Sequence, residues 1–503
     1  MRLTARPDQA ALAVIATFTV LRLVLAATLG LGVDEAYTLS AAHDLHLSYY
    51  DHPPLQYWIA HLFLPLLGDG RAARLPFIAL FAASSWLLYR LTRQLFGAQA
   101  GLLAVVALNC SACFTFAFGD LVLPDGPLLF ALLAAALVLA RGLFPESESP
   151  SAYATWLHAG VWIGVGALCK YHVLLFAAGV LLFLLSVPSR RRLLAQPAPW
   201  LGALLAVAIA APVIVWNVRH DWISIGFQAG RGRPGGGLHA EFVAANVAGQ
   251  AIWMLPWIFV PMAIAAWSAL RAGRAAQRSW YCLCLALPTL VLFTLIPLWG
   301  RVGLPHWQMP GWLLLFPVFG DWAARFDPRR LRRWGYVYAS LVVAIAAVIV
   351  AEAASGYGRI LAPRAFARGD PTLDAFEWSQ LPPALRSRGL LRPGEFVVTS
   401  NWIYAGRIAQ SLHDTVPVVV FGSNQKEFGL RYDPQSFLGR DAIVVGPVDS
   451  MRGIENGLRS HFLSIEELAP LALGRSGMRE IELRLLVAHD LRMPLPAPYW
   501  RAR

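Results

Sequence analysis

Residues 10–37 read AALAVIATFTVLRLVLAATLGLGVDEAY and place a long apolar run directly before an Asp-Glu pair. A run of about 20 apolar residues is long enough for an α-helix to cross a bilayer. This run is too long for the apolar core of a cleavable signal and has no small-residue cleavage site after it. Because carboxylates at a membrane boundary are costly unless they face water or other polar groups, we expect Asp34 and Glu35 to lie in a wet site beyond this helix.

The same apolar pattern recurs along much of the chain. Apolar residues make up 57% of the sequence, charged residues only 14%, and the mean hydropathy is +0.53. A soluble protein is nearer a quarter charged, so these values exclude an ordinary soluble enzyme. They predict a polytopic α-helical membrane protein with about 11 spans. The predicted spans are residues 10–31, 75–95, 98–118, 128–144, 153–169, 172–187, 200–216, 242–270, 280–298, 307–322 and 336–354.

Positive charge predicts the orientation. The net charge of +12 comes almost wholly from arginine, because Lys170 and Lys426 are the only lysines. The arginines form short blocks between apolar runs, as cytoplasmic flanks do, which places the N-terminus in the cytoplasm and argues against a nucleic-acid partner. These blocks are Arg2 and Arg6; Arg90 and Arg93; Arg141; Arg190, Arg191 and Arg192; Arg271, Arg274 and Arg278; and Arg325, Arg329, Arg330, Arg332 and Arg333.

The composition changes after residue 355. Short runs of strand character at 395–399, 416–421, 442–445 and 481–487 alternate with helix-like patterns at 403–412 and 453–463. This alternation predicts a soluble α/β domain at residues 356–503, which the orientation above places outside the cytoplasm. Residues 1–355 are then a membrane domain with one large outer loop at 32–74.

Polar residues outside the arginine blocks gather in segments predicted to face the outer side. Ionisable groups at helix ends are costly unless they meet one another or line a cavity, so the pattern predicts a water-filled site at that face. The residues are Asp34, Glu35, His43, Asp44, His46, Asp51 and His52 in the first loop, then Asp120, Asp125, Lys170, Tyr171 and His172, the polar residues of 217–239, and Arg301 with His306.

Helix capping is an alternative explanation for the acidic residues. Asp34 is positioned to cap a helix and Glu35 to favour its positive end. Asp51 could likewise cap a helix that begins at Pro53. The residues alone leave capping and catalysis open.

Five motifs in one order resemble a known group of enzymes. They are DEAY at 34–37, YDHPPL at 50–55, LPDGPL at 123–128, LCKY at 168–171 and WNVRHDW at 216–222. Together they resemble the bacterial GT-C glycosyltransferases, specifically the glycosyltransferase 39 or protein-mannosyltransferase-like group, whose relatives include the aminoarabinose transferases that modify lipid A. The match covers about half of the chain, and the C-terminal domain is similar to that of the group in layout only.

The resemblance implies a multi-pass enzyme of the bacterial inner membrane with its active site and C-terminal domain in the periplasm. Such an enzyme takes a sugar from a polyprenyl-phosphate donor and transfers it to an acceptor hydroxyl. Lipid A or another part of lipopolysaccharide, a different envelope lipid or glycan, and a protein all stay open as acceptors. A single displacement at the anomeric carbon predicts inversion.

The resemblance also implies catalytic roles. Asp34 matches the first-loop aspartate, which would accept the proton of the acceptor hydroxyl. Glu35 would tune Asp34 or share a metal with it. Asp125 matches a second-loop acidic residue that would orient the sugar or the acceptor.

Further residues would bind the donor. Lys170 matches the lysine after the fifth span and would hold the phosphate as a point charge, and the adjacent Tyr171 is a further donor-binding candidate. Asp51 and His52 stand where relatives carry an acidic residue followed by lysine, so the role of His52 is open between phosphate and metal. Because the leaving phosphate develops negative charge, the outer cations Arg219, His220, Arg231 and Arg233 are further candidates. A divalent cation also stays open, with Glu35, Asp51 and His52 as candidate ligands.

Two other functions compete with the enzyme. A transporter or flippase for a lipid-linked sugar would need polar residues through its spans, whereas these spans are almost uniformly apolar and their charges gather at the ends. A membrane-anchored sensor would bind its ligand through residues 356–503 alone.

Overall fold

The computed structural model describes residues 6–145, 151–232, 236–300, 303–364, 366–367 and 369–499. The chain divides into two compact units. The first consists of Met1–Val24, His52–Gln56 and Arg74–Ile345, and the second of Leu25–Asp51, Tyr57–Ala73 and Ala346–Arg503. The first loop after the opening helix therefore belongs largely to the same unit as the C-terminal residues.

Helices dominate the chain. In order they are α1 Pro7–Thr28, α2 Val33–Ala41, α3 Leu55–Leu67, α4 Leu75–Phe96, α5 Ala98–Asn109, α6 Asp125–Leu143, α7 Ala152–Cys169, α8 Val173–Ser186, α9 Pro188–Arg191, α10 Pro197–Ile209, α11 Ala211–Arg219, α12 Ile223–Gly230, α13 Ala240–Met254, α14 Pro256–Ala272, α15 Gln277–Leu295, α16 Met309–Leu313, α17 Phe316–Ala323, α18 Pro328–Ser355, α19 Gly358–Leu361, α20 Leu381–Ser387, α21 Trp402–Ser411, α22 Phe428–Arg431, α23 Val448–Met451 and α24 Glu455–Leu458.

Several helices are long and apolar enough to cross a bilayer, as the sequence predicts for a multi-pass protein. Among the described residues, six helices qualify by length and composition, or up to nine if each of three bent helix pairs is one span. About 11 spans were predicted from the length of each apolar run. The difference arises where runs break: residues 98–118 form α5 and then a separate π-helical turn, Cys113–Ala117, and residues 307–322 divide into α16 and α17.

Proline explains two of the bends. The residue before a proline is disfavoured in the helical conformation, so a helix tends to end there. Val187 precedes Pro188, where the path turns by 114° between α8 and α9. Leu255 precedes Pro256 with φ of 72°, and the path turns by 112° between α13 and α14. Continuous hydropathy therefore does not guarantee one straight helix.

Small residues bring α7 and α10 close together. A Cβ atom placed on Gly160 would lie 2.2 Å from the carbonyl oxygen of Gly202. The two backbones can approach this closely only because both positions lack a side chain. The contact fixes one wall of the groove described below.

A buried arginine supports the turn that precedes α6. Arg22 of α1 donates to Asn109 Oδ1 at 2.9 Å and to Thr115 Oγ1 at 3.3 Å. Its guanidinium lies 4.4 Å from the ring centroid of Phe81. A charge inside an apolar helix bundle is retained when polar partners satisfy it, so Arg22 ties α1 to the segment leading into α6.

The second unit contains a five-stranded sheet. Its strands are β1 Phe396–Thr399, β2 Val418–Val420, β3 Ala442–Pro447, β4 Phe462–Arg475 and β5 Met478–Leu491. Their order is β2-β1-β3-β5-β4; β1 is parallel to β2 and β3, whereas β5 is antiparallel to β3 and β4. Ser476 and Gly477 connect β4 to β5 with φ of 49° and 78°, as a tight two-residue hairpin turn requires.

The predicted C-terminal elements agree with this sheet in four strands and one helix. The runs at 395–399, 416–421, 442–445 and 481–487 contain or overlap β1, β2, β3 and β5, and the pattern at 403–412 corresponds to α21. The helix predicted at 453–463 is wrong beyond the short α24, since β4 begins at Phe462. Most residues of that strand are half-buried or exposed, and its sequence pattern was not recognised as a strand.

Helix α2 packs against α21 within the second unit. A Cβ atom on Gly406 would lie 2.9 Å from both the Cα and the backbone nitrogen of Tyr37. Glycine at this position lets the two helices touch, and Tyr37 enters the apolar core of the C-terminal domain. The DEAY motif is thereby held by residues nearly four hundred positions away in the sequence.

Candidate functional site

The first unit pairs two residues of the motifs. Lys170 Nζ donates to Asp125 Oδ1 at 2.9 Å and to Oδ2 at 3.0 Å. Their side chains are only 8% and 6% exposed. Removing either partner from such a buried pair would leave a buried charge without its counter-ion, so the two residues depend on each other. These two residues come from separate segments that were predicted to converge, and the structure brings them together.

Local structure explains how the pair forms. Asp125 is in the first turn of α6, where the helix dipole favours a carboxylate. Lys170 follows the last residue of α7 with an extended backbone, which directs its side chain away from the helix axis. Helices α6 and α7 pack together, so the start of one lies beside the end of the other.

A cavity of about 340 Å³ opens beside this pair. Polar and aromatic side chains line it together with aliphatic ones, and the polar and aromatic residues include His52, Lys170, Tyr171, His172, Arg231 and Trp307. Four of these six, namely His52, Lys170, Tyr171 and Arg231, were predicted as donor-binding residues. We call this cavity the polar pocket.

Two histidines near the polar pocket, His172 and His306, are held in the neutral form. Burial, together with the Lys170 ammonium, lowers the pKa of His172 well below its usual value. The same two causes lower the pKa of His306 to about 4. The ring of His172 stacks on Phe293 with centroids 4.6 Å apart. At neutral pH these two imidazoles therefore supply hydrogen-bonding groups rather than positive charge.

Arg231 brings a permanent cation to the polar pocket. Its guanidinium carbon lies 5.1 Å from the ring centroid of Phe227 and 5.6 Å from that of Trp307. Aromatic faces attract a guanidinium and fix its orientation. The polar pocket thus combines one cation neutralised by Asp125 with one held by aromatic rings.

An apolar groove of about 470 Å³ adjoins the polar pocket. Its walls come from α7, α8, α10 and α11, and it shares Tyr171 and Leu174 with the polar pocket. Tyr171 is fixed at this junction by a 2.9 Å hydrogen bond between its hydroxyl and Ser224 Oγ. The first unit therefore places a surface for hydrocarbon next to a site for an anion.

In the second unit, Glu35 rather than Asp34 caps α2. Glu35 Oε2 accepts a hydrogen bond from the backbone nitrogen of Gly32 at 2.8 Å, and its residue is 1% exposed. Asp34 is exposed, although the capping hypothesis assigned the helix cap to it. The helix start thus uses Glu35 for structure and leaves Asp34 the more accessible of the two carboxylates.

Asp51 is committed to a buried cluster in the second unit. Its Oδ2 accepts from Lys426 Nζ at 2.9 Å, and its Oδ1 accepts from the hydroxyls of Tyr57 at 2.9 Å and Tyr37 at 3.2 Å. The cap that Asp51 was predicted to provide for a helix starting at Pro53 is not formed, since α3 begins at Leu55. Lys426 also lies 3.3 Å from a ring centroid of Trp402.

Lys426 and Glu427 were not predicted as site residues. Lys426 has φ of 47°, an uncommon conformation for a side-chain-bearing residue that often marks a functional or constrained position. Burial raises the pKa of Glu427 to about 8, and Glu427 Oε2 accepts from the backbone nitrogen of Tyr50 at 2.8 Å. The signal that could have found this segment was the rarity of lysine, because the chain has only two.

Two predicted cations, Arg219 and His220, are not among the described residues that line the polar pocket. Arg219 is exposed at the end of α11, and the ring of His220 stacks on Trp216 with centroids 4.0 Å apart. Arg233 lies outside the described residues. His220 Nδ1 is also 2.8 Å from the carbonyl oxygen of Trp216, so its immediate contacts are within α11 and the following turn.

The candidate metal ligands do not assemble a metal cage. Within the described ranges, no group of three or more His, Cys, Asp or Glu side chains is arranged to hold a metal ion. Glu35 is engaged in capping, and the Asp51 carboxylate is neutralised by an ammonium. A divalent cation at these residues stays a prediction.

Comparison with known families confirms the resemblance inferred from the motifs. The family model described as dolichyl-phosphate-mannose-protein mannosyltransferase matches residues 51–216. The chain is similar in structure to ArnT from Cupriavidus metallidurans bound to undecaprenyl phosphate, with a TM-score of 0.63 and 16% identity over 96% of this chain and 98% of that one. The fold is therefore the GT-C fold, as in ArnT.

Two curated relatives from Rhizobium johnstonii are also similar. A lipid A galacturonosyltransferase is 26% identical over 283 residues, which are 52% of this chain and 54% of that protein. A lipopolysaccharide core galacturonosyltransferase is 28% identical over 192 residues, 38% of each protein. The chain thus spans about half the length, or less, of the curated relatives that it matches.

Proposed function

We propose that this protein is an integral-membrane glycosyltransferase that moves a sugar from a polyprenyl-phosphate donor to a hydroxyl of an envelope glycolipid. The observation that carries the proposal is the junction of the polar pocket with the apolar groove at Tyr171 and Leu174. A lipid-linked sugar phosphate needs both surfaces side by side. The undecaprenyl phosphate bound by the similar structure ArnT supports this donor class.

Lys170 and Arg231 would bind the donor phosphate. As the anomeric carbon leaves the phosphate oxygen, negative charge grows on the lipid phosphate, and nearby cations lower the energy of that state. Asp125 holds the Lys170 ammonium in place through two hydrogen bonds. Because the imidazoles of His172 and His306 are neutral, the lysine and the arginine would supply most of the positive charge that stabilises the leaving phosphate.

Asp34 is proposed as the general base, a role that rests on the motif match. In a single displacement, the acceptor oxygen forms a bond to the anomeric carbon while the bond to the phosphate oxygen breaks. The hydroxyl proton passes to the Asp34 carboxylate, the electron pair leaves with the lipid phosphate, and the anomeric configuration inverts. The exposure of Asp34 on α2 is compatible with access for an acceptor.

Lipid A or the lipopolysaccharide core is proposed as the acceptor, and galacturonic acid is the first sugar to test. Both assignments are supported by the activities named for the two curated relatives. The orientation inferred from the arginine blocks supports a reaction on the periplasmic face of a bacterial inner membrane.

Mass spectrometry tests the proposed function directly. Purified protein in nanodiscs is incubated with lipid A and, in separate reactions, with undecaprenyl-phosphate galacturonic acid, aminoarabinose or mannose. We expect lipid A to gain the mass of one sugar with one donor, and the Lys170→Met protein to give no product in the same time. Envelope lipids of a deletion strain should lack the same modification. Unchanged envelope lipids and glycans, together with no transfer from any donor, would contradict the proposal.

A further inference from the structure

A second polar cavity lies in the first unit, apart from every residue discussed above as part of the candidate site. Its volume is about 400 Å³. The start of α1, the last part of α4 and the end of α6 contribute its lining, which consists of Asp8, Trp86, Arg90, Arg93, Gln94 and Arg141. We call it the basic cavity.

The basic cavity and the polar pocket are at opposite ends of α6. Asp125 is in the first turn of this 19-residue helix and Arg141 is in its last turn. At about 1.5 Å per residue, the two positions are roughly 24 Å apart along the helix axis. That distance is close to the thickness of a hydrocarbon core, so the two cavities meet opposite membrane surfaces.

The charges of the basic cavity do not balance. Asp8 is paired with Arg93 at 2.8 Å and also accepts a hydrogen bond from the Tyr89 hydroxyl. Across the described ranges, Arg90 and Arg141 make no ion pair or hydrogen bond of their side chains. Among the described lining residues, three guanidinium groups from two helices thus share one carboxylate, which leaves a surplus of two positive charges.

We propose that the basic cavity binds the phosphate of an anionic phospholipid headgroup. Guanidinium groups match the shape and charge of a phosphate and can each donate two hydrogen bonds to it. A lipid source is favoured over free phosphate because the cavity is built from the ends of membrane helices and includes Trp86, which stacks on Tyr89 with centroids 5.0 Å apart. Such aromatic residues mark the headgroup level of a bilayer. The inference is independent of the proposed function.

Individual flanking arginines give a simpler explanation, because the negative end of α6 alone favours Arg141. Arginines that only flank membrane spans, however, need not come together from separate helices to line one cavity. Arg192 provides the matched control: it belongs to another arginine block, is exposed and lines none of the cavities described here.

Native mass spectrometry of the delipidated full-length protein in neutral detergent tests the site. Phosphatidylglycerol, phosphatidylcholine or sodium phosphate is added at matched concentrations, and bound lipid and melting temperature are recorded. We expect phosphatidylglycerol to bind and to raise the melting temperature, and the double variant Arg90→Gln/Arg141→Gln to lose affinity by about tenfold or more. Arg192→Gln should bind like the unaltered protein.

A second variant keeps the test decisive if the double variant fails to fold. Asp8→Asn removes the one carboxylate among the described residues that line the basic cavity and should increase phosphatidylglycerol binding. The proposal is overturned if the folded double variant binds as well as the unaltered protein, if Arg192→Gln loses as much affinity, or if Asp8→Asn brings no increase. Equal stabilisation by sodium phosphate would overturn the lipid assignment.

Discussion

Lys426 Nζ lies 2.9 Å from Asp51 Oδ2, although 375 positions separate the two residues in the chain. The pair is almost fully buried, with side chains 8% and 5% exposed. It joins the YDHPPL motif to the segment that follows β2 of the C-terminal domain.

Loss of Lys426 should destabilise the protein. Lys426→Met leaves the Asp51 carboxylate buried without its cation, and we expect the free energy of unfolding of the second unit to fall by about 3–5 kcal/mol. Adding Asp51→Asn should recover much of that loss. Melting temperature in detergent measures both effects. Arg452→Met, which removes a partner from an exposed pair, is the control and should change little. If the single and double variants melt alike, the two residues are not coupled.

Stability should fall as pH rises, because of Glu427. Its pKa is raised from 4.5 to about 8 by burial, so the folded state retains a proton that the unfolded state releases. The stabilisation that the protonated Glu427 carboxyl contributes is fully present below about pH 4.5, and it is lost as the pH rises to about 8. The expected slope is about −1.4 kcal/mol per pH unit between these values.

Glu427→Gln is the matched variant for this pH dependence. The amide keeps an oxygen that can accept from Tyr50 but has no proton to lose. Melting temperatures between pH 5 and pH 9, in roughly unit steps, should fall less steeply for Glu427→Gln than for the unaltered protein. Parallel curves for the two proteins would show that Glu427 does not titrate in this range.

Lys170 should matter for turnover beyond its role in folding. Lys170→Met alone strands Asp125, whereas Lys170→Met/Asp125→Asn removes both charges and should restore the melting temperature. If Lys170 stabilises the leaving phosphate, the double variant should still lose about 10²–10³ in kcat. Lys170→Arg keeps the charge and should retain part of the activity. A stable double variant with full turnover would rule out the proposed role.

Asp34 and Glu35 should separate catalysis from capping. Asp34→Asn should leave stability within about 0.5 kcal/mol, because its side chain is exposed, and should lower kcat by about 10²-fold or more. Glu35→Ala should cost about 1 kcal/mol of stability through the lost contact with Gly32. Measuring transfer rate and melting temperature for both variants distinguishes the roles. The base assignment fails if Asp34→Asn turns over normally.

A bulky residue in the apolar groove should weaken donor binding selectively. Ala203 lines the groove, so Ala203→Trp should fill part of the space for the polyprenyl chain. We expect KM for the long-chain donor to rise about tenfold with kcat nearly unchanged, and a short-chain donor to be affected less. Leu201→Trp, at an exposed position outside the groove, is the control. An equal effect of both variants would place the chain elsewhere.

Sequence patterns predict the membrane helices well but their continuity poorly. Hydropathy reports how many apolar residues occur in a row, and α1, α6 and α15 follow directly from it. Breaks at Val187 and Leu255 depend on the following proline and on packing, which a hydropathy average does not contain. In the C-terminal domain, β3 is a short buried strand with a clear signal, whereas the longer and more exposed β4 has none.

The sequence by itself determined the class of protein, the GT-C resemblance and the motif residues, because apolar run length and local motifs are properties of neighbouring residues. Tertiary structure alone decided their partners. It paired Lys170 with Asp125 and Asp51 with Lys426, gave the cap of α2 to Glu35, and joined the polar pocket to an apolar groove. The physical reason is distance: charge pairing and cavity shape depend on groups far apart in the chain, and only the packed helices and sheet fix their separation in space.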